Sequence, residues 1–176
     1  QYIYGMTPDY NQGDSVYVFL GPIYETIYDT GGEDTIDLSY YILDTTLDMR
    51  DGNVSYIGTT EVRISEPIAA GSSDSSHVYS GFPISIAFGT IIENAITGNG
   101  DDKITCNIAI NTITCNLGND LVVAIGSGDV VYGGGGNDIF ISISNDFGLI
   151  DGGDGTDVFS GAFLGSNINL NSLNDS

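Results

Sequence analysis

The sequence predicts an all-β fold, a parallel β-roll. Three observations support that prediction: a nine-residue spacing of apolar residues, their fixed position relative to polar residues, and glycines before the best copies. Apolar residues follow a nine-residue beat in the second half of the chain, each lying two positions after a polar residue of the same beat. Glycines precede the best copies, as in G-G-G-G-N-D-I-F-I at 133–141. A repeat of fixed period determines the architecture before local propensities do. The polar residues that set the beat are Asp102, Asn111, Asp120, Asp129 and Asp138, and Asp157 resumes it after one extra residue.

Each repeat divides into a turn of about six residues and a strand of about three, the pattern G-G-x-G-x-D-x-U-x of calcium-binding β-rolls. The apolar U residue points into the slot between two sheets. Two repeats make one coil, so equivalent turns recur on the same side every second repeat, at a spacing of about 4.8 Å between coils.

The stacking sorts the polar residues into two ladders. One edge of the roll carries Asp102, Asp120, Asp138 and Asp157, and the opposite edge carries Asn111, Asp129 and a residue near Asp146. Bare carboxylates on successive coils repel by roughly 1–3.5 kcal/mol per pair. A divalent cation between coils reverses that sign, so metal binding and folding are expected to be linked.

The two edges differ in their turns. Glycine and acid occur throughout the first edge, whereas the second begins with C-N-I-A-I-N at 106–111. We therefore predict three calcium sites on the first edge and one or none on the second, because Ca²⁺ takes carboxylate and carbonyl oxygens. The predicted ligands from the repeats are Asp102, Asp120, Asp138, Asp157, Asp129, Gly100, Gly118, Gly136, Asn137, Gly155 and Asp154.

The amino-acid composition limits the classes of partner that the protein can bind. A net charge of −21 with 3 Lys+Arg excludes nucleic acid and anionic membrane as electrostatic partners. The sequence shows no apolar run long enough for a membrane helix and no N-terminal signal peptide. Acidic residues in ligand register favour a calcium-rich, extracellular location, so the protein is expected to be secreted.

The two cysteines, Cys106 and Cys115, both occupy the first position of a repeat. Being half a coil apart, they are expected at opposite ends of the slot, too far for a disulfide, which needs Cα atoms within about 7 Å. We interpret them as small buried residues that replace glycine.

The first half, 1–96, lacks the repeat and reads as strands separated by turns, packed on the roll of 97–176. The sequence favours little helix. The stretch 59–83 is rich in serine and glycine, and we interpret it as a variable surface excursion.

Several motifs resemble the C-terminal domain of serralysin-type secreted zinc metalloproteases, the RTX β-roll domain. They are Q-Y-I-Y-G (1–5), Q-G-D-S-V-Y (12–17), I-Y-D-T-G-G-E-D-T-I-D-L-S (27–39), G-N-V-S (52–55) and I-A-F-G-T-I-I-E-N-A-I-T-G-N-G-D-D (86–102). The resemblance covers most of the chain in order and makes the two halves one unit.

The resemblance implies a further calcium site in the first half, giving about four ions in total, within a range of three to six. It also implies a module that stabilises a covalently attached upstream protease and couples calcium-driven folding to type I secretion. The ligands carried over are Asn11, Gly13, Ser15, Asp29, Gly31, Gly32, Asp34 and Glu93.

No catalytic activity is expected of this chain. The family's protease needs H-E-x-x-H, and the single histidine here, His77, lies in the Ser-rich excursion. We therefore assign no zinc to this chain. Carboxylate pairs of the glycosidase type are not strictly excluded, but the calcium register explains the acids better.

Two alternatives stay open. One is a structural or adhesive surface module of an extracellular assembly or virion that uses the same fold. The other is a polysaccharide-associated module, for which 11 Tyr and 7 Phe could stack on sugars. The end of a roll exposes strand edges, which makes end-to-end self-association a further expectation.

Overall fold

The computed structural model describes residues 2–3, 13–19, 24–63, 77–161 and 168–170. Every regular element in these ranges is a β-strand, so the predicted all-β class is confirmed. The strands are β1 (Tyr2–Ile3), β2 (Val16–Val18), β3 (Glu25–Ile27), β4 (Thr35–Asp37), β5 (Thr46–Asp48), β6 (Val54–Arg63), β7 (His77–Ile86), β8 (Asn94–Ile96), β9 (Lys103–Thr105), β10 (Thr112–Thr114), β11 (Leu121–Ile125), β12 (Val130–Gly135), β13 (Ile139–Ser142), β14 (Leu149–Asp154), β15 (Val158–Ser160) and β16 (Ile168–Asn169).

From β8 onwards the strands alternate between two sheets as the chain coils. Sheet A has the order β1-β2-β4-β8-β10-β12-β14-β16, and sheet B has the order β15-β13-β11-β9-β5-β6-β7-β3. Neighbours in the roll are parallel, and Thr112 pairs with Val130, eighteen residues on. This is the register that two nine-residue repeats per coil require, and the parallel β-roll is confirmed.

The apolar residues of the repeat fill the slot between the sheets. Ile104, Val122 and Phe140 enter from sheet B, Ile113 and Val131 enter from sheet A, and all five are fully buried. Alternation along each short strand places one central side chain inside and its neighbours outside. The repeat residues therefore form a central column, with one side chain from each strand, and Cys106, Cys115 and Ile125 belong to the same buried cluster.

Truncating this column should be costly. We expect Phe140→Ala to lower the free energy of unfolding in calcium by about 3–5 kcal/mol, because it leaves a cavity in a layer only one side chain wide. Urea unfolding measures the loss. Ile108→Ala is the control: Ile108 is 95% exposed, so its removal should change stability by less than about 0.5 kcal/mol. Equal effects in the two variants would contradict the single-column core.

The extra residue in the beat lies in the second-edge turn before β14. Val130 pairs with Leu149 and Ile139 pairs with Val158, both nineteen residues apart. Here Phe147 turns inward and packs against Phe159 with ring centroids 5.6 Å apart. The insertion is therefore absorbed as a longer turn, and the sheets stay in register.

The segment 59–83 differs from the sequence interpretation. Its described parts, 59–63 and 77–83, continue the ten-residue strands β6 and β7, which pair antiparallel and insert into sheet B between β5 and β3. A register shift between Ile57 and Thr60 surrounds Gly58, whose φ is +65°. Residues 64–76 lie outside the described residues.

The described strands of both halves share the two sheets, because β4 pairs with β8 and β8 with β10. No helix in the described ranges is long and apolar enough to cross a membrane.

Candidate metal sites

The first-edge aspartates form a continuous ladder in which Asp102, Asp120 and Asp138 are buried and Asp157 is half-buried. The backbone N–H of Asp102 donates to Oδ1 of Asp120 at 2.7 Å, and that of Asp120 donates to Oδ1 of Asp138 at 2.8 Å. The N–H of Asp138 donates to Oδ1 of Asp157 at 2.9 Å. Each carboxylate thus uses one oxygen to hold the preceding coil. The ladder begins at Thr45, whose N–H donates to Oδ1 of Asp102 at 2.6 Å. Thr45 was not predicted, because a threonine replaces the acid in that turn.

The second oxygen of the ladder carboxylates is the unusual feature. Oδ2 of Asp120, Asp138 and Asp157 is buried and has no hydrogen-bond partner. Buried polar atoms are almost always paired, and an unpaired charged oxygen is costly. Asp102 differs, because its Oδ2 accepts the N–H of Gly98 at 3.2 Å. Three unpaired hard oxygens on one edge fit a hard cation such as Ca²⁺.

Burial and nearby negative charges raise the pKa values of three aspartates on this edge. The pKa of Asp120 rises to about 8, through burial first and then the charges of Asp102 and Asp138. Burial raises the pKa of Asp102 and that of Asp138 to about 6. The cation-free ladder therefore resists full ionisation.

The predicted glycine ligands stack between the coils. Gly136 has φ +136°, and a Cβ there would overlap the carbonyl oxygen of Gly118. The same overlap relates Gly118 to Gly100 and Gly155 to Gly136. Only glycine allows backbones to approach so closely at positive φ. The turns consequently bring carbonyl groups to the edge that carries the unpaired carboxylate oxygens.

The two remaining predicted first-edge residues face outward. Asn137 is exposed: its N–H donates to Oδ1 of Asn119 at 2.9 Å, and its own Oδ1 accepts the N–H of Thr156 at 2.9 Å. Asp154 is also exposed, and its carbonyl accepts the N–H of Gly136 at 2.8 Å. The structure thus places an outer amide column beside the inner carboxylate ladder. The column continues through Asp101, whose Oδ1 accepts the N–H of Asn119 at 2.7 Å and whose N–H donates to Oδ1 of Asp44 at 3.0 Å.

On the second edge, the side chains of Asp129 and Asn111 form hydrogen bonds within the protein. Asp129 accepts the N–H of Asn111 on Oδ1 at 2.8 Å and that of Gly126 on Oδ2 at 2.6 Å. The amide nitrogen of Asn111 donates to the carbonyl of Glu93 at 3.0 Å and to Oδ1 of Asn107 at 2.9 Å. Hydrogen bonds within the protein therefore occupy the groups that a cation would use here.

In the first half, the structure brings three of the predicted ligands together. Oδ1 of Asp34 accepts the N–H of Ser15 at 2.9 Å, and the N–H of Asp34 donates to Oε2 of Glu93 at 2.8 Å. Oδ2 of Asp34 is buried without a partner, as on the first edge. Burial, followed by the charges of Asp29 and Glu93, raises the pKa of Asp34 to about 6. A Cβ on Gly32 would overlap the backbone of Gly13, so these two glycines are in direct contact.

Asp29 is buried beside this group and is held differently. Its Oδ2 accepts the hydroxyl of Tyr17 at 2.5 Å, and its Oδ1 accepts the N–H of Gly31 at 2.9 Å. The hydroxyl oxygen of Thr90 accepts the N–H of Asp29 at 3.2 Å. Tyr17 and Thr90 were not predicted, since neither is a calcium ligand by type. Asn11 lies outside the described residues.

Within the described ranges, no group of three or more His, Cys, Asp or Glu side chains is placed to hold one metal ion. A cation bound on the first edge, or one bound at Asp34, would therefore combine one or two carboxylates with backbone carbonyls. That composition agrees with the glycine-rich turns and with the oxygen preference of Ca²⁺.

The reactivity of the two cysteine thiols can be used to follow folding. Cys106 and Cys115 are free and buried, as expected. Burial raises the pKa of the Cys106 thiol to about 12 and that of Cys115 well above its usual value. Both thiols should resist alkylation in calcium and react quickly in chelator, as a thiol-reactive dye would show. Fast labelling of both in calcium would contradict their burial.

These features define a parallel β-roll with a ladder of unpaired carboxylate oxygens along one edge. No family model matches the chain. It is 33% identical over 127 residues to serralysin of Proteus mirabilis, covering 64% of this chain and 22% of that protein. It is 30% identical over 127 residues to serralysin G of Dickeya chrysanthemi, with the same coverage.

The chain thus spans about a fifth of the length of the curated relatives it matches, 22% in each case. Together, the β-roll fold and this similarity confirm the resemblance to the serralysin-type RTX β-roll domain.

Proposed function

We propose that this chain is a calcium-binding, non-catalytic β-roll module of a secreted serralysin-like metalloprotease. Calcium binding would stabilise the parent protein and couple its folding to export by the type I route. The observation that carries the proposal is the set of four buried, unpaired carboxylate oxygens, Oδ2 of Asp34, Asp120, Asp138 and Asp157.

The oxygens support calcium because of their number and their chemistry. Three lie on the first edge and one lies in the first half. Each belongs to a carboxylate whose other oxygen already accepts a backbone N–H, so the unpaired oxygen is oriented by the fold. Divalent cations would replace the missing partners and offset the repulsion along the ladder.

The residues of this chain would perform three tasks in that function. The ladder carboxylates hold successive coils and present oxygen atoms. The stacked glycines admit the close approach of the turns. The apolar column closes the slot once the coils are stacked. A chain of net charge −21 without cations would instead be driven towards an open state by self-repulsion.

The test is a calcium titration of the chelator-stripped chain, followed by circular dichroism and calorimetry. We expect a transition from disordered chain to β-structure that saturates near four ions. Magnesium at the same concentration should fail, because it demands a smaller, octahedral site.

Two outcomes would overturn the proposal. A fully folded spectrum in chelator would remove the folding switch, and binding of fewer than two ions would remove the ladder sites. The attachment to a protease is tested separately: the coding sequence upstream of Gln1 should contain H-E-x-x-H, whose absence would favour a surface or polysaccharide-associated module instead.

A further inference from the structure

The second edge presents apolar side chains to solvent at positions where the first edge presents polar ones. Ile108 and Ile110 lie in the turn 106–111, and the residues at the same positions of the preceding repeat are Asn99 and Asp101. Ile108 is 95% exposed, and Ile110 is also exposed. These two isoleucines therefore contribute little to the core of the roll.

A neighbouring turn extends this apolar surface. The turn 87–92 joins β7 in sheet B to β8 in sheet A, so it lies on the same edge as 106–111, which joins β9 to β10. It carries Phe88, which is 83% exposed, and the exposed Ile91. We name Phe88, Ile91, Ile108 and Ile110 the second-edge patch. A contiguous exposed patch of large apolar side chains marks an interaction site, whereas single ones do not.

The patch includes a cleft as well as protruding side chains. Ile91 and Ile108 line a cleft of about 350 Å³ together with Met49, and Arg50 and Asp51 lie at the same cleft. An apolar cleft with a few polar groups at its border is the usual form of a binding site.

Hydrogen bonds fix the turns that carry the patch. The side-chain nitrogen of Asn107 donates to the carbonyl of Met49 at 3.2 Å and to that of Ile92 at 2.7 Å, so three turns meet at one amide. The N–H of Gly89 donates to Oδ2 of Asp51 at 2.8 Å. The patch is therefore formed before any partner arrives, which lowers the entropic cost of association.

The charges around the patch favour a second copy of the same chain as its occupant. The turns 87–92 and 106–111 contain no charged residue, whereas the acidic ladder occupies the opposite edge. Arg50 and Asp51, both exposed, place one charge of each sign beside the cleft. In a two-fold symmetric interface a patch meets itself, so it must contain both signs and both a protrusion and a cleft. The second-edge patch meets these requirements.

We propose that two copies of this chain associate side by side through the second-edge patch. Phe88 of each copy reaches the cleft of the other, and Arg50 of each copy faces Asp51 of the other. The two acidic ladders then lie on the far sides of the pair, which limits repulsion between chains of net charge −21. This contact differs from end-to-end pairing of strand edges, and it uses none of the predicted cation ligands.

The small size of the patch sets the strength of the association. A few large side chains form an interface at the low end of the known range, so the pair should form only at high protein concentration. At the low concentrations used for urea unfolding, the chain should be a monomer. The patch then contributes little to the free energy of unfolding.

The experiment is sedimentation velocity of the 176-residue chain over increasing protein concentration. Circular dichroism selects the calcium concentration, including none, at which the chain shows its full β-structure. We expect wild type to shift from one chain to two as concentration rises. The double variant Ile108→Asn/Ile110→Asn should weaken the association by at least about tenfold, because it removes two large apolar contacts.

The matched control is Ile42→Asn. Ile42 is 74% exposed but lies in the turn between β4 and β5 on the acidic first edge. The same substitution there should leave the association unchanged. Phe88→Ser replaces the double variant if circular dichroism shows that the double variant does not fold. Added salt should strengthen the association, because it screens the repulsion between two acidic chains.

Three outcomes would overturn the side-by-side pair. The first is a monomer at every concentration, which would leave the patch to a different partner. The second is an association that the patch variants leave intact, which would indicate end-to-end pairing instead. The third is dissociation by added salt, because an apolar interface between acidic chains should not weaken when their charges are screened.

Discussion

Replacing Asp138 by asparagine is expected to change stability in opposite directions with and without calcium. Asparagine keeps the Oδ1 that accepts the N–H of Asp120, so the hydrogen bond between coils survives. Without calcium at pH 8, the variant should be more stable by roughly 1–3 kcal/mol, because one charge leaves the ladder. In calcium it should lose one bound ion. At a calcium concentration about 100-fold above Kd, that loss costs about 2.7 kcal/mol.

The control for this sign reversal is Asp101→Asn. Asp101 is exposed in the outer column, where the fold already uses Asn119 and Asn137 at equivalent positions. This variant removes the same charge but should leave the number of bound calcium ions unchanged. Urea unfolding in calcium measures the stability of both variants, circular dichroism in chelator measures the β-structure that each retains without calcium, and calorimetry counts the bound ions. If Asp138→Asn binds the full number of ions, the ladder is not the calcium site.

The dependence of stability on pH should also reverse when calcium is added. The pKa of Asp120 is raised to about 8, and the pKa values of Asp34, Asp102 and Asp138 are raised to about 6, from 3.8. A group whose pKa is higher in the folded chain stabilises it below its unfolded value, and that contribution is lost as pH rises through the folded value. The calcium-free chain should therefore lose stability as the pH rises from about 4 to 8.

Calcium reverses the trend because protons and cations compete for the same oxygens. In saturating calcium, stability should rise with pH across that window and fall on acidification. Circular dichroism of the calcium-stripped chain, which measures its β-structure, and thermal unfolding of the calcium-loaded chain, both at intervals from pH 4.5 to 8.5, give the two curves. Parallel curves would show that the raised pKa values and the cation sites involve different groups.

The roll itself could be predicted from the sequence because the spacing of the repeat determines the register of the strands. The nine-residue spacing placed Asp120 and Asp138 in one column and Val122 in the core, and the structure shows both. The asymmetry between the edges was also visible, since the turn 106–111 lacks glycine and acid. Periodicity of this kind fixes neighbours that are far apart in the chain.

The hairpin of β6 and β7 could not be predicted, because its residues follow no repeat and mix polar with apolar side chains. Its pairing depends on partners in β3 and β5, which are distant in sequence. The partners of Asp29 were missed for a related reason. Tyr17 makes one hydrogen bond with Asp29 and Thr90 makes two, all formed only when three segments meet, and neither residue type signals a cation site.

The hydrogen bonds of the two first-edge columns point in opposite directions along the roll. The bonds at each junction therefore involve only the two coils that meet there. Between one pair of coils, the N–H of Asp120 donates forward to Asp138, and the N–H of Asn137 donates back to Asn119. Stability should then be a sum of nearest-neighbour terms, as in solenoids. Deleting 112–129 would join Asn111 to Val130, the register partner of Thr112, and shorten the protein by one whole unit. Deleting half of that segment would send every later strand to the wrong sheet.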